Sequence, residues 1–466
     1  MLVAMHTTML GVQDWAQLEF ALADLGDARR SNRLVQVASA LAQCPSGTLP
    51  QAFNDWADLK AAYRLFSNPQ VTYQKILQPH LERTRQSCTQ PGEYLLIEDT
   101  SDLDYSTHKA CQGLGQIGNE YGRGLLLHST LAVRVKAWDL NQCAQTEVVG
   151  LAAQKCWGRA KRKAPRKKEN WRQRMERSRE SERWGETLSQ WPPRPPGVSW
   201  IFIGDREADI YESFERTLEA NMDFIIRAQY NRVLVEKDQG AFTAVAKAPV
   251  LGCFELEVRG RPGRTARTAK LEVRAVPVPL KGAWRPGGCR PALRINVVQA
   301  CEVNPPAGEE PIHWVLFTSL SSERFVEARR IIARYAKRWL IEEFHKVLKS
   351  GANVEKSELE TAERLKALVG VLVIVAVRLL NMKLLARSEP DQLVDVQQFG
   401  PEAVEILSAR FEKPKEGWTN QTLLVAVARL GGFLARRGDG NPGWITIWRG
   451  WQRLMTMVEG VLTLKK

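Results

Sequence analysis

Two short apolar runs, each broken by a cluster of acids, constrain this chain most. Tyr94-Leu95-Leu96-Ile97 is followed at once by Glu98-Asp99-Thr100-Ser101-Asp102, and Trp200-Ile201-Phe202-Ile203 by Gly204-Asp205-Arg206-Glu207-Ala208-Asp209. Near-continuous apolar runs of this length read as strands buried in a parallel or mixed sheet. Acids just past the carboxyl ends of such strands fall where open α/β sheets place their sites. Each Asp taken alone reads equally as a turn or helix cap. Glu98, Asp102, Glu207 and Asp209 are rival ligands that spacing does not exclude.

A third segment, Tyr335–Lys349 (YAKRWLIEEFHKVLK), reads as one helix. Tyr335, Arg338, Glu342, Lys346 and Lys349 fall within an arc of about 80°, with Leu340, Ile341, Phe344, Val347 and Leu348 opposite. One face buries itself; the other offers a carboxylate flanked by cations and a phenol, as a metal-bound phosphodiester requires. A solvated face with i,i+4 ion pairs has the same pattern. With this helix in place, Asp99, Asp205 and Glu342 are three carboxylates converging from two strands and one helix.

IEDTSDLDY, GDREADIYE and the Y-x2-R-x3-E-x6-K spacing of Tyr335, Arg338, Glu342 and Lys349 resemble the bacterial cut-and-paste DDE transposases of insertion-sequence group four, with their Tyr-Arg-Glu-Lys signature. The resemblance runs over nearly the whole chain and is strongest at 94–105, 200–212 and 313–361. It implies an α/β (α+β) fold: a ribonuclease-H-like core with a mixed β-sheet flanked by helices, interrupted by an antiparallel β insertion at about 228–320. Strand-like runs at 254–260, 269–280, 294–303 and 313–320, punctuated by Gly and Pro, agree with that insertion. Helical N- and C-terminal domains complete the expected architecture, divided as 1–75, 76–390 and 391–466.

The resemblance also implies the chemistry. Asp99, Asp205 and Glu342 hold two Mg²⁺ ions, replaceable by Mn²⁺, and oxygen ligands suit these hard cations. Two such ions about 3.5–4 Å apart serve an in-line displacement at phosphorus. Arg338, Lys349 and Lys346 grip phosphates and Tyr335 bonds a phosphate oxygen. Arg227, in FIIRAQY, matches a family Arg that contacts DNA near the cleavage site; as a bare residue it is a strand-end cation. Trp314 stands where the family places a Trp that handles a flipped base during hairpin formation; a core aromatic of a strand is the alternative. Two rival activities share the three acids: a metal-dependent nuclease of the same fold that never joins ends, and a catalytically silent DNA-binding relic.

Composition agrees with a DNA partner. Lys plus Arg number 66 against 52 acids, for a net charge of +14, the electrostatic footprint expected on phosphate. At 466 residues the chain can form two to four domains. The eight cysteines (Cys44, Cys88, Cys111, Cys143, Cys156, Cys253, Cys289, Cys301) form no CxxC pair, and with six His they offer no zinc spacing. They read as reduced thiols of a cytoplasmic protein. Met1–Gly11 lacks a charged start and cleavage site of a signal peptide. Val369–Val377, followed by Arg378, is too short to span a bilayer and reads as a buried core helix. Neither a membrane nor a small-molecule cofactor is expected.

Asp27 is a good N-cap for ARRSNRLVQVASALAQ, and DWADLKAAYRLFSNP forms a second helix ending at Pro69. Both resemble the family's domain that recognises double-stranded element ends. Arg29, Arg30 and Arg33 are candidate DNA contacts there; a solvated basic face is the alternative. Arg159–Arg183 holds twelve Lys or Arg against four acids and reads as an exposed loop between core strands, able to track DNA; a merely solvated loop is the alternative. His128 reads as a packed core histidine. The C-terminal helices at 421–433 and 444–464 bring Trp444, Trp448 and Trp451. In the family this part forms the homodimer contact; the alternative is that the Trp residues pin the last helix to its own core.

Overall fold

The computed structural model describes residues 11–118, 121–159, 183–187, 191–236, 239–258, 266–285, 288–388, 390–412, 414–436 and 439–464; residues 160–182 of the basic stretch lie outside them. Helices α1 (Val12–Phe20), α2 (Ala28–Gln43), α3 (Trp56–Phe66) and α4 (Tyr73–Ser87) come first. Strands β1 (Gly92–Asp104), β2 (Gly115–Ile117), β3 (Gly122–Trp138), β4 (Ala144–Trp157) and β5 (Val198–Gly204) follow. Then come α5 (Tyr211–Glu219), β6 (Asp223–Arg227), α6 (Ala241–Lys247), β7 (Val250–Val258) and β8 (Arg267–Leu280). A small hairpin of β9 (Trp284–Arg285) and β10 (Gly288–Cys289) precedes β11 (Leu293–Glu302) and β12 (His313–Thr318). The chain ends in α7 (Phe325–Ala336), α8 (Trp339–Lys346), α9 (Ala362–Ser388), α10 (Pro401–Arg410), α11 (Asn420–Leu430) and α12 (Trp444–Leu464).

Among the described residues, ten of the strands form one mixed sheet in the order β2-β3-β1-β5-β6-β12-β11-β8-β7, with β4 also paired to β3, on the edge away from β1. β1 pairs antiparallel with β3 and parallel with β5, and β5 pairs parallel with β6. This mixed sheet with helices on both faces is consistent with a ribonuclease-H-like core. From β12 outward every pairing is antiparallel, and these strands continue the same sheet. The four strand-like runs expected in this interval are β7, β8, β11 and β12.

The apolar runs are buried on both faces, as their composition requires. Leu95, Ile97, Ile201 and Ile203 face a core shared with α7, α8 and α9, while Tyr94, Leu96, Trp200 and Phe202 face a second core with α5 and α6. Period-two alternation thus assigns every residue of β1 to one of two sides. The run Val369–Val377 is part of α9, of which Ala362–Leu384 is long and apolar enough to cross a membrane; 83% of its most apolar window is buried inside the protein. It is the central core helix, packed on α4, β4 and α8. Each Leu, Val and Ile side chain of the run Val369–Val377 is buried and contributes about 1.5–3 kcal/mol.

The N-terminal helices dock through a buried polar cluster. Glu19 of α1 accepts from His80 Nδ1 of α4 at 2.7 Å and pairs with Arg83, and His80 Nε2 accepts the Leu151 amide of β4 at 3.0 Å. Since Nε2 is an acceptor, the ring proton sits on Nδ1 and faces Glu19. Asp27 caps α2 as expected, accepting from the Arg29 amide at 2.9 Å. At the C-terminus Trp448 and Trp451 are buried, and Trp451 meets Phe399 edge-on at 5.6 Å. Both rings pin α12 to its own chain; the Trp444 side chain lies outside the described residues.

Candidate active site

The register of β1 on β5 sets the site. Ile97 pairs with Ile203, so Asp99 lies level with Asp205 two residues on. Two details correct the expectation of acids past strand ends. β5 stops at Gly204, but β1 runs on to Asp104, held by β3 through Asp99 opposite Ser129. The acids of the first cluster are therefore strand residues, and alternation sorts them. Asp99 shares a side with Ile97, whereas Glu98 faces the opposite core, fully buried and bonded to His128, Thr130 and Thr187. Alternation puts Asp102 on the Glu98 side as well.

The rivals of the second cluster are also engaged elsewhere. Glu207 pairs with Arg183 at 2.8 Å. Asp209 is buried and accepts from the Gln229 and Tyr230 amides and from Arg232. Asp205 caps the turn Arg206–Ala208 by accepting the Glu207 amide at 2.8 Å. Capping and a part in the site are thus compatible.

The helix expected over Tyr335–Lys349 is two helices and a wider turn. The Lys337, Arg338, Leu340 and Ile341 amides each reach back only three residues, which tightens the chain between α7 and α8. After Lys346 the chain widens into a π turn over Val347–Gly351, closed by the Ala352 amide on the Val347 carbonyl. The apolar side behaves as expected: Leu340, Ile341, Phe344, Val347 and Leu348 are all buried. Of the polar arc, Tyr335, Arg338 and Glu342 stay together, whereas Lys346 and Lys349 do not. Tyr335 is buried at 4% exposure, with Trp314 edge-on at 5.9 Å. Lys346 is exposed, and Lys349, in the π turn, pairs with Glu355 at 3.6 Å. Helix α7 is fixed to β1 by a two-pronged bond from Arg334 to Glu93 (2.9 and 2.6 Å).

Arg338 is the hub of what does converge. Its guanidinium lies 3.9 Å from Asp99 and pairs with Glu342 one turn on. Burial works against its charge, but Tyr335, Glu342 and Asp99 outweigh it and hold its pKa above the ordinary value. Burial, then the charge of Asp205 and to a smaller extent that of Glu342, push the Asp99 carboxyl up to about 6, against the Thr100 amide and Arg338. Burial raises the Tyr335 phenol too, opposed by Arg338 and by Arg227, while Asp205 adds to the rise. Asp99, Asp205, Glu342, Arg338, Tyr335 and Arg227 therefore form one electrostatic neighbourhood, with Trp314 at its edge.

This neighbourhood is crowded with negative charge in the way that a cation relieves. Its donors are carboxylate oxygens, which suit Mg²⁺ or Mn²⁺ and not zinc. In kind, the residues fit a divalent ion. In position they are not gathered: among the described residues no three His, Cys, Asp or Glu side chains stand together as a metal-binding group. Arg338 lies between Asp99 and Glu342, and Glu342 is exposed.

The remaining candidates lie apart. Arg29 is 92% exposed and, among the described residues, turns back to Asp27. Arg30 donates to the Leu25 carbonyl at 2.8 Å and Arg33 to Asp58 at 2.6 Å. The sequence reading missed one residue beside the site. Arg183 reads only as the end of the basic stretch, yet it reaches β1 and the turn after β5; its partners lie 83 and 24 positions away, and no local motif signals such a contact.

Asp99 on β1 and Asp205 just past β5, with Glu342 and cations near a flanking helix, are the kinds of groups that phosphoryl-transfer sites use. Three family models match the chain in order. Residues 12–71 match the model described as transposase DNA-binding, 176–378 the transposase DDE domain, and 374–465 the transposase Tn5 dimerisation domain. The DDE match takes in Asp205 and Glu342 and begins beyond Asp99. Together the matches support a DDE transposase, a nucleic-acid-cleaving enzyme with a DNA-binding domain before its catalytic part and a dimerisation domain after it.

Proposed function

We propose that the chain is a metal-dependent transposase that recognises the ends of its own insertion sequence, cleaves there through a hairpin intermediate and joins the freed ends to a target. The observation that carries this reading is the level placement of Asp99 and Asp205 beside Arg338 and Glu342. The order of the three family matches supports it. In this reading residues 1–75 bind the element end, 76–390 carry catalysis with an antiparallel β insertion at about 228–320, and 391–466 make the homodimer. It is a cytoplasmic protein, working on double-stranded DNA as a member of insertion-sequence group four.

Asp99, Asp205 and Glu342 would hold Mg²⁺ or Mn²⁺. When bound, the ions supply Lewis-acid stabilisation of the attacking and leaving oxygens at phosphorus. Arg338, already desolvated and charged, is placed to exchange a carboxylate for a phosphate oxygen in a two-pronged contact. That exchange frees Glu342 to join the other two acids. Tyr335 donates its hydroxyl to a phosphate, Lys346 and Lys349 add cations along the backbone, and Arg227 contributes from the strand below. Trp314, partly exposed beside Tyr335, offers a ring face for an extruded base.

The test is incubation of DNA carrying the two ends that flank this reading frame with the protein and Mg²⁺ or Mn²⁺. Excised element with hairpin ends is the expected product. Cutting indifferent to the ends would replace this reading with a nuclease of the same fold, and end binding without cutting with a silent DNA-binding relic.

A further inference from the structure

One guanidinium touches the residues that orient both catalytic aspartates. Asp99 Oδ1 accepts the Thr100 amide at 2.8 Å, and Asp205 Oδ1 accepts the Glu207 amide at 2.8 Å. Arg183 Nε donates to Thr100 Oγ1 at 3.0 Å, and Arg183 Nη2 donates to Glu207 Oε2 at 2.8 Å. The side chain therefore bridges β1 to the turn after β5, beyond the last backbone pair between them at Ile97 and Ile203. Among the described residues no sheet hydrogen bond joins β1 and the segment after β5 past that pair; Arg183 spans the gap.

The network behind Arg183 is closed and directional. An arginine N–H can only donate, so Thr100 Oγ1 accepts from Arg183 and turns its own proton to His128 Nδ1, 2.9 Å away. His128 must then carry its proton on Nε2 and donate to Glu98 at 3.2 Å. Glu98 also accepts from Thr130 at 2.8 Å and from Thr187 at 2.7 Å. Trp184, buried at 1%, closes the side edge-on to His128 at 5.0 Å, with the Arg183 guanidinium over its own ring at 5.6 Å. At 12% exposure, Arg183 is a cation held inside this wall rather than a surface charge.

We infer that Arg183 is a positioning residue of the catalytic site: by holding Thr100 and Glu207 together it fixes the separation of Asp99 and Asp205, and so the site's affinity for a divalent ion. The inference rests on the reading of Asp99 and Asp205 as metal ligands. Partners that orient metal ligands from behind are commonly worth about 10–100-fold in metal affinity. Lysine at 183 keeps the charge but lacks the rigid planar fork whose separate nitrogens hold Thr100 and Glu207 together.

The experiment is titration of the full-length protein with Mn²⁺ alone, followed by electron paramagnetic resonance. Unmutated protein, Asp99→Asn, Arg183→Gln, Arg183→Lys and Thr187→Val are compared. Thr187→Val loosens the same segment at Glu98 without touching either acid's partner. The expected result is Mn²⁺ affinity reduced by about 10–100-fold in Arg183→Gln, reduced less in Arg183→Lys, and unchanged in Thr187→Val. If Arg183→Gln fails to fold, Arg183→Lys decides by the same comparison. Binding lost in Asp99→Asn but kept in both Arg183 variants overturns the inference and leaves the site intact. Equal loss in Thr187→Val and Arg183→Gln also overturns it, reducing Arg183 to an anchor of its segment. Binding unchanged in Asp99→Asn overturns the metal site itself, and the inference with it.

Discussion

Asp99 stands level with Asp205 because Ile97 pairs with Ile203 on the neighbouring parallel strand. The level depends on a tight turn. A Cβ on Gly204 would run into the Cβ of Ala208 and lie 3.3 Å from the Phe202 ring, so the residue before Asp205 has no room for a side chain.

Gly204→Ala therefore displaces Asp205 without removing it. Misplacement of a reacting group by about 1 Å can cost on the order of 100-fold in rate. Cleavage of element ends by this variant should fall by that order, with end binding retained in a mobility-shift assay. Cleavage within a factor of about two of the unmutated protein would mean that the turn adjusts freely.

The three N-terminal arginines separate by their partners. Arg29 is exposed, whereas Arg30 and Arg33 hold Leu25 and Asp58. Arg29→Ala should weaken end binding and lower the slope of log affinity against log salt by about one, as for loss of one phosphate contact, with no change in melting temperature. Arg30→Ala should lower the melting temperature instead. An unchanged salt slope in Arg29→Ala removes that residue from the DNA interface.

Glu19 gives the fold a pH dependence. Burial opposes its charge, but His80 and Arg83 hold its carboxyl down at about 2, against an ordinary value of 4.5. A depressed folded-state pKa stabilises the fold fully above 4.5, and that contribution is lost as pH falls toward 2. Glu19→Gln should cost about 3–5 kcal/mol at neutral pH, since removing one partner strands the others. The gap to the unmutated protein should close between pH 4.5 and 2, measured by urea unfolding. A gap independent of pH would assign the loss to packing alone.

The strands that carry or precede Asp99 and Asp205 were legible because burial on both faces leaves an unbroken apolar run, as at Tyr94–Ile97 and Trp200–Ile203. Where β1 ends was not, because Glu98, Thr100 and Asp102 are polar for separate reasons: Glu98 is satisfied by His128, Thr130 and Thr187, far away in sequence. The helical wheel over Tyr335–Lys349 placed the apolar side correctly and the polar side incompletely. A three-residue hydrogen-bond reach at Lys337–Ile341 and a π turn at Val347–Gly351 break the even spacing that a wheel assumes. Composition marks helical character well but not such local changes of pitch. Arg183 lay beyond sequence reasoning because its role consists of two distant partners.

The most direct test of the central claim is Glu342→Gln, compared with the unmutated protein on DNA carrying the element ends, with Mg²⁺ or Mn²⁺ present. Loss of a metal ligand exceeds the 10–100-fold typical of a residue behind one. Cleavage should therefore fall by more than about 100-fold, with end binding within about twofold of the unmutated protein. Equal loss of binding and cleavage would contradict the account, making Glu342 a structural partner of Arg338 rather than a ligand of the catalytic metal.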